Sequence, residues 1–214
     1  MKSISRRVFE NLRPKFQVAV KILSVDRSYT MEIEDLLATI AKIFEKLDIP
    51  YIITGGMAVS VWGRPRFTAD IDIVVELLPQ NINLLSEELL KIDKDVYVSE
   101  EAIKEALKRR SEFNFIHPQS QLKVDFWIVK DEFNKQEIKR AIPKKIEGKK
   151  VNFVSPEDLI LSKLLWYQQS ESTRQLEDIK SVLKISKVNM NFVKKLAEKH
   201  GTIEVLNKLL KKVE

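Results

Sequence analysis

The stretch Asp70-Ile-Asp-Ile-Val-Val-Glu76 constrains this 214-residue chain more than any other. Its β-branched content reads as a strand, and a strand turns alternate side chains to opposite faces. Asp70, Asp72 and Val74 therefore share one face, while Ile71, Ile73 and Val75 share the other. Two carboxylates thus sit side by side on a strand whose neighbours demand burial. Like charges so placed make one of the pair hold a proton more readily, and a hard cation resolves the conflict.

Upstream, Tyr51-Ile-Ile-Thr54 is a short β-rich run that stops at Gly55-Gly56. Met57 to Trp62 then has helix-compatible composition up to Gly63. This reads as strand, glycine turn and helix. The free N–H groups and dipole of a helix N-terminus favour phosphate. The chain has only five glycines, and three of them, Gly55, Gly56 and Gly63, fall in this one segment, where the backbone must turn tightly or approach a ligand. Downstream, Val124-Asp-Phe-Trp-Ile-Val129 sets a third carboxylate, Asp125, in an apolar strand, where an unpaired charge is expensive. If the two strands are neighbours, three carboxylates converge. Such a set suits two Mg²⁺ or Mn²⁺ ions about 4 Å apart, one activating the attacking oxygen and one steadying the leaving group. Taken singly, the signals stay open: a Gly-Gly pair is also an ordinary turn, Asp-x-Asp a surface pair, and Asp125 an exposed edge position.

Around this centre the spacing of Ile33, Leu36, Leu37, Ile40, Ile43, Phe44 and Leu47 predicts a helix. Helices are expected over 80–92 and 99–110, strands over 112–116 and 122–129, and two short strands turning near Gly148. Ser155-Pro-Glu-Asp158 announces a further helix through its cap, its early proline and an acid placed for a capping box. Helical patterns follow at 173–185, 189–200 and 202–213. The expectation is an α/β (α+β) fold: a mixed sheet flanked by helices, with a basic N-terminal arm (1–30), an α/β domain (31–154) and a C-terminal helical subdomain (155–214).

Composition excludes several classes. With no cysteine, neither a disulfide scaffold nor a Cys-ligated zinc site is available. No apolar run approaches the ~20 residues of a membrane helix, and the start lacks the apolar stretch of a signal peptide, so a cytoplasmic protein without a membrane partner is expected. The net charge of +6 belongs to the ends: residues 1–30 hold seven basic against two acidic residues, and residues 180–214 hold nine against three. Basic termini of this kind suit RNA or another polyanionic partner, or form solvated helix faces. His117 and His200 lack metal-ligand spacing. His117, just before Pro118, reads as a loop residue. Trp62, Trp127 and Trp166 sit in apolar patterns that suit a core, Trp62 being the candidate for base stacking because it follows the glycine turn.

The combination is more specific than its parts. Gly55-Gly56, a thirteen-residue spacer, Asp70-Ile-Asp72-Ile73 and a later strand aspartate resemble the signature of the polymerase-β-like nucleotidyltransferase superfamily. Within it the likeness is to the minimal branch of abortive-infection type, toxin-like and lincosamide-resistance-like transferases. The resemblance covers roughly residues 31–185 and is carried mostly by 51–76. It implies that Gly55 and Gly56 hold an NTP triphosphate and that Asp70 and Asp72 bind Mg²⁺ or Mn²⁺. Asp125 would be the third carboxylate, assisting deprotonation of the acceptor. Arg64 and Arg66 would reach phosphate oxygens as fork donors, with Thr68 bonding in the same loop. Lys163 would extend to the nucleotide from the helix opened by Ser155. Arg174 and Asp178 are similar to an Arg and Asp pairing of that branch, and read locally as an i, i+4 ion pair.

The implied activity is transfer of a nucleoside monophosphate to a hydroxyl of a small molecule, protein or tRNA, with pyrophosphate leaving. The acceptor and any dimer are open. The alternative is a catalytically silent binding protein of the same fold, acting as a toxin–antitoxin or regulatory component. A metal-dependent phosphodiesterase is a third reading.

Overall fold

The computed structural model describes residues 31–68 and 70–211; the expected N-terminal arm lies outside them. The chain opens with α1 (Ile33–Lys46), whose Leu36, Leu37, Ile40, Ile43 and Phe44 are buried at the anticipated spacing. There follow β1 (Tyr51–Ile53), α2 (Gly55–Trp62), β2 (Asp70–Val75), a 3₁₀ turn, α3 (Ile82–Leu90), α4 (Glu100–Arg109), β3 (Glu112–His117) and β4 (Leu122–Ile128). Then come α5 (Glu132–Lys139), the hairpin β5 (Ile142–Ile146) and β6 (Lys149–Phe153), and the helices α6 (Pro156–Ser170), α7 (Thr173–Ile185), α8 (Met190–Lys199) and α9 (Ile203–Leu210). The expected elements are thus present. Helix α5 is an addition: Asp131 caps it by accepting from the Asn134 N–H. No described helix is long and apolar enough to cross a membrane.

The six strands form one mixed sheet in the order β3-β4-β2-β1-β6-β5. β2 lies at its centre, antiparallel to β1 and parallel to β4. Residues paired across strands share a face. One face therefore collects Tyr51, Ile53, Ile71, Ile73, Val75, Phe113, Phe115, Val124, Phe126 and Ile128, all buried. Phe44 of α1 caps it, with ring centroids 4.8 Å from Tyr51 and 5.9 Å from Phe126. Phe126 in turn stacks on Phe113 at 4.7 Å. The opposite face carries the row Asn114–Asp125–Asp72, extended to Thr54, whose N–H donates to the Asp72 carbonyl at 2.9 Å.

Of the Trp62 and His117 readings, one holds and one changes in three dimensions. Trp62 is core: its indole N–H donates to the Val154 carbonyl at 2.8 Å, and the Lys144 ammonium lies 4.2 Å from its ring. His117 ends β3 and is buried, with Nδ1 2.8 Å from Ser120 Oγ, because a strand end rather than a loop precedes Pro118.

The capping signal at Ser155 is kept, with Asp158 as the acid. Ser155 Oγ accepts from the Asp158 N–H at 3.1 Å and donates to the Asp158 carboxylate at 2.8 Å. That carboxylate is fully buried and receives both fork nitrogens of Arg140, the residue closing α5, at 2.8 and 2.9 Å. Helices α5 and α6 are locked together there. Removing one partner of a buried pair strands the other charge, so Asp158→Ala is expected to lower stability by about 3 kcal/mol or more. Ser155→Ala, which loses only a cap, should cost about 1 kcal/mol. Urea midpoints of the two variants would check the ordering.

Candidate functional site

A cleft of about 520 Å³ opens over the polar face of the sheet, between β2 and β4 on one side and α5, α6 and α7 on the other. Gly55, Gly56, Arg66, Thr68, Asp70, Asp72 and Lys163 all line it. Residues separated by more than a hundred positions in the chain are thereby brought to one place. Arg64 and Asp125 are not among the lining residues. The Arg64 N–H is tied to Ser181 Oγ and its side chain is exposed.

The glycine turn is shaped by the carboxylate it faces. Gly55 has φ +59°, a left-handed conformation that disfavours a side chain, and a β-carbon there would overlap the Asp72 carboxylate. A β-carbon on Gly56 would stand 2.8 Å from Thr68 Oγ1. Thr68 itself donates to the Asp70 carbonyl at 3.1 Å. The backbone of the turn, the loop before β2 and the first aspartates of β2 are thus in mutual contact. Thr54, at the N-cap of α2, makes no side-chain cap, so the first N–H groups of the helix are left to other acceptors.

The carboxylates differ in environment. Asp70 is exposed. Burial pushes the Asp72 carboxyl up from its ordinary value, neighbouring Asp125 pushes it further, and Trp127 and Lys163 work against both. A desolvated carboxylate beside like charges is the environment that a divalent cation relieves, so Asp70 and Asp72 fit such an ion. Asp125 stands directly beside Asp72 in the register of β2 and β4. Its carboxylate, however, is held by Lys123, at 2.8 and 3.0 Å, and by the Asn114 amide. Among the described residues no three acidic or histidine side chains stand close enough to hold an ion together. The convergence of three carboxylates anticipated from the sequence reaches the backbone register but not the side chains, because Lys123, two residues away on the same strand face, supplies the counter-charge first.

The cations are also organised by an acid. Arg66 sends Nε and Nη2 to the two oxygens of Asp178, each at 3.0 Å, and Lys163 reaches the same carboxylate at 2.9 Å. Burial would raise the Asp178 carboxyl, but the charges and hydrogen bonds of Arg66 and Lys163 prevail and hold it below its ordinary range. The local reading of Arg174 and Asp178 as a helix-surface ion pair is therefore corrected. Asp178 faces inward to two cations from other elements, while Arg174 is exposed at the cleft.

Sequence reasoning missed the far end of the cleft. Trp127, Phe133, Asn134, Glu137, Ser162, Trp166 and Gln175 line it. Trp127 and Trp166 meet edge to face at 6.1 Å, and Trp166 is 49% exposed. Glu137 is 2% exposed and accepts from Asn134 Nδ2 at 2.9 Å and Ser162 Oγ at 2.7 Å. Among the described residues no donor reaches the buried Gln175 Oε1. The available signal was the Asp131 cap with Phe133 and Ile138 spaced along the following turns, a capped amphipathic helix start.

Against known proteins, a family profile described as the nucleotidyl transferase AbiEii toxin of a type IV toxin–antitoxin system matches residues 35–210. Among solved structures, an antigenic nucleotidyltransferase-like protein from Paracoccidioides brasiliensis is similar at 24% identity, over 71% of this chain and 74% of its own, with a TM-score of 0.47. The lincosamide antibiotic adenylyltransferase LnuA, bound to lincomycin, aligns at 17% identity over 73% of this chain and 99% of its own, with a TM-score of 0.48. A nucleotidyltransferase from Thermotoga maritima aligns at 16% over 70% and 97%, with a TM-score of 0.37. No curated protein matches the sequence.

Two outcomes are expected. Gly55→Ala combines left-handed strain of about 1–2 kcal/mol with displacement of Asp72, and should lower the thermal midpoint in scanning calorimetry by about 4 °C or more. Glu137 supplies the second. Burial pushes its carboxyl up from 4.5 to about 7 against the hydrogen bonds from Asn134 and Ser162. A raised carboxyl favours the protonated folded state, so this contribution to stability is complete below pH ~4.5 and lost as pH rises through about 7. Wild type should therefore lose stability relative to Glu137→Gln between pH 5 and 8, by on the order of 3 kcal/mol. Equal differences in urea midpoint at both pH values would show that the carboxyl does not titrate there.

Proposed function

The chain belongs to the AbiEii nucleotidyl transferase family, and from that premise we propose that it transfers a nucleoside monophosphate from an NTP to a hydroxyl acceptor, releasing pyrophosphate. The observation that carries this reading is the cleft itself. A helix N-terminus at Gly55-Gly56, two carboxylates from one strand and two cations from distant elements all line one cavity. Each suits one part of a triphosphate: backbone N–H groups and cations for the phosphate oxygens, and carboxylates for the divalent ion that accompanies it.

In this reading Asp70 and Asp72 hold Mg²⁺ or Mn²⁺, which when bound neutralises phosphate charge and favours departure of pyrophosphate. Gly55 and Gly56 present N–H groups to the triphosphate. Arg66 and Lys163, both tied to Asp178, bring two positive charges to the cleft with only one of them balanced. Asp178 is a positioning residue here: it holds the guanidinium and the ammonium where phosphate oxygens arrive. Asp125 is the third carboxylate, and its part in accepting the acceptor proton requires that Lys123 release it. Arg64 and Thr68 belong to the loop between the turn and β2, Thr68 bonding at Asp70, and Arg64 would have to swing in from outside the lining to reach a phosphate. Positioning and charge neutralisation supply most of the rate gain in such a transfer.

The family description assigns its members to the toxin side of a toxin–antitoxin pair, and the transfer reaction is read as the toxic act. Incubation with labelled NTPs, Mg²⁺ and cell extract should label an acceptor with wild type. Asp70→Ala/Asp72→Ala should reduce labelling at least a hundredfold and relieve growth arrest on induction. Growth arrest that persists in the double variant, with no labelling by wild type, would favour the silent binding protein instead.

A further inference from the structure

The phosphate end of the cleft is described above; its other end has a chemistry of its own. Trp127 pairs with Val74 in the register of β4 and β2, two residues along β2 from Asp72. The Trp127 indole lies close enough to the Asp72 carboxyl to oppose that group's upward shift, so the aromatic wall begins at the carboxylates. Trp166 lies against Trp127 yet leaves 49% of its surface exposed at the cleft. An exposed indole facing a cavity is an aromatic platform without an occupant of its own in the fold.

Glu137 lines the same cleft, 2% exposed, and is bonded by Ser162, one helical turn before Trp166. Its closest cation, Arg140, is committed to Asp158 through both fork nitrogens. Asn134 and Ser162 each donate to one Glu137 oxygen, and above pH ~7, where the carboxyl is ionised, each oxygen keeps a further lone pair. A buried acceptor of this kind, at the edge of an aromatic wall, matches a flat ring that presents an N–H at its edge.

Resting on the transferase reading, we propose that this end of the cleft is the nucleobase subsite. Trp166 stacks the base, and Glu137, oriented by Asn134 and Ser162, accepts a hydrogen bond from the exocyclic amino group of adenine, cytosine or guanine. UTP, whose one edge donor, N3–H, is flanked by two carbonyl oxygens that a carboxylate repels, is the disfavoured triphosphate. Glu137 selects the base and takes no part in the transfer itself.

The test is titration calorimetry of the full chain at pH 8, where Glu137 is ionised, with Mg²⁺ and each of ATP, CTP, GTP, UTP and inorganic tripolyphosphate. The best amino-bearing triphosphate should bind at least tenfold more tightly than UTP, the scale of a hydrogen bond to a charged group. Glu137→Gln, which offers an amide N–H to a base carbonyl, should shrink that ratio severalfold. Trp166→Ala should weaken NTPs toward tripolyphosphate while leaving tripolyphosphate unchanged, a substitution that the exposed indole should tolerate. UTP binding as well as the best of the others, or an unchanged ratio in Glu137→Gln, would overturn the base subsite. Tight binding of all NTPs that Trp166→Ala does not alter would also overturn it while leaving the transferase reading intact. Failure of every triphosphate, tripolyphosphate included, would overturn both.

Discussion

The register of β2 between β1 and β4 is the constraint on which everything else rests. In the observed pairing Ile71, Ile73 and Val75 enter the core beside Phe126 and Ile128, and Asp70 and Asp72 face the cleft. Because side chains alternate, a slip of one residue would drive both carboxylates into the aromatic core and turn three aliphatic residues outward. Burial of the apolar face therefore fixes the polar face. The core orients the functional side chains without touching them.

A second level of order comes from acids that each gather charge from elsewhere in the chain. Asp178 of α7 holds Arg66 from the loop before β2 and Lys163 of α6. Asp158 of α6 holds Arg140 at the end of α5. A buried carboxylate is costly unless paired and hydrogen-bonded, so these contacts restrict how α5, α6 and α7 seat on the sheet. The cleft lies between the elements so restricted. Lys123 does the same for Asp125 within one strand, which leaves Asp72 with more uncompensated charge than its neighbour.

Glu137 stands apart from this pattern. It is buried as deeply as Asp178 but has hydrogen bonds where Asp178 has cations, and the two are displaced in opposite directions as a result. The contrast sets in one cleft a carboxylate that gathers two cations and a carboxyl bonded by neutral donors.

Much was legible in the sequence. Alternation in 70–75, the glycine pair, the cap at Ser155 and the helical periodicities are local signals, since a strand's faces and a helix's stripe depend on neighbours a few residues apart. They determined the elements, the apolar faces and the candidacy of Gly55, Gly56, Asp70 and Asp72. Pairings between distant elements were decided only by the tertiary structure. That Asp178 turns to Arg66 and Lys163 rather than to Arg174, that Lys123 and Asn114 occupy Asp125, that Trp62 is core while Trp166 lies open, and that Glu137 joins the cleft all depend on which charges and surfaces the fold brings together. No spacing along the chain encodes them, because electrostatic partnership and burial follow distance in space.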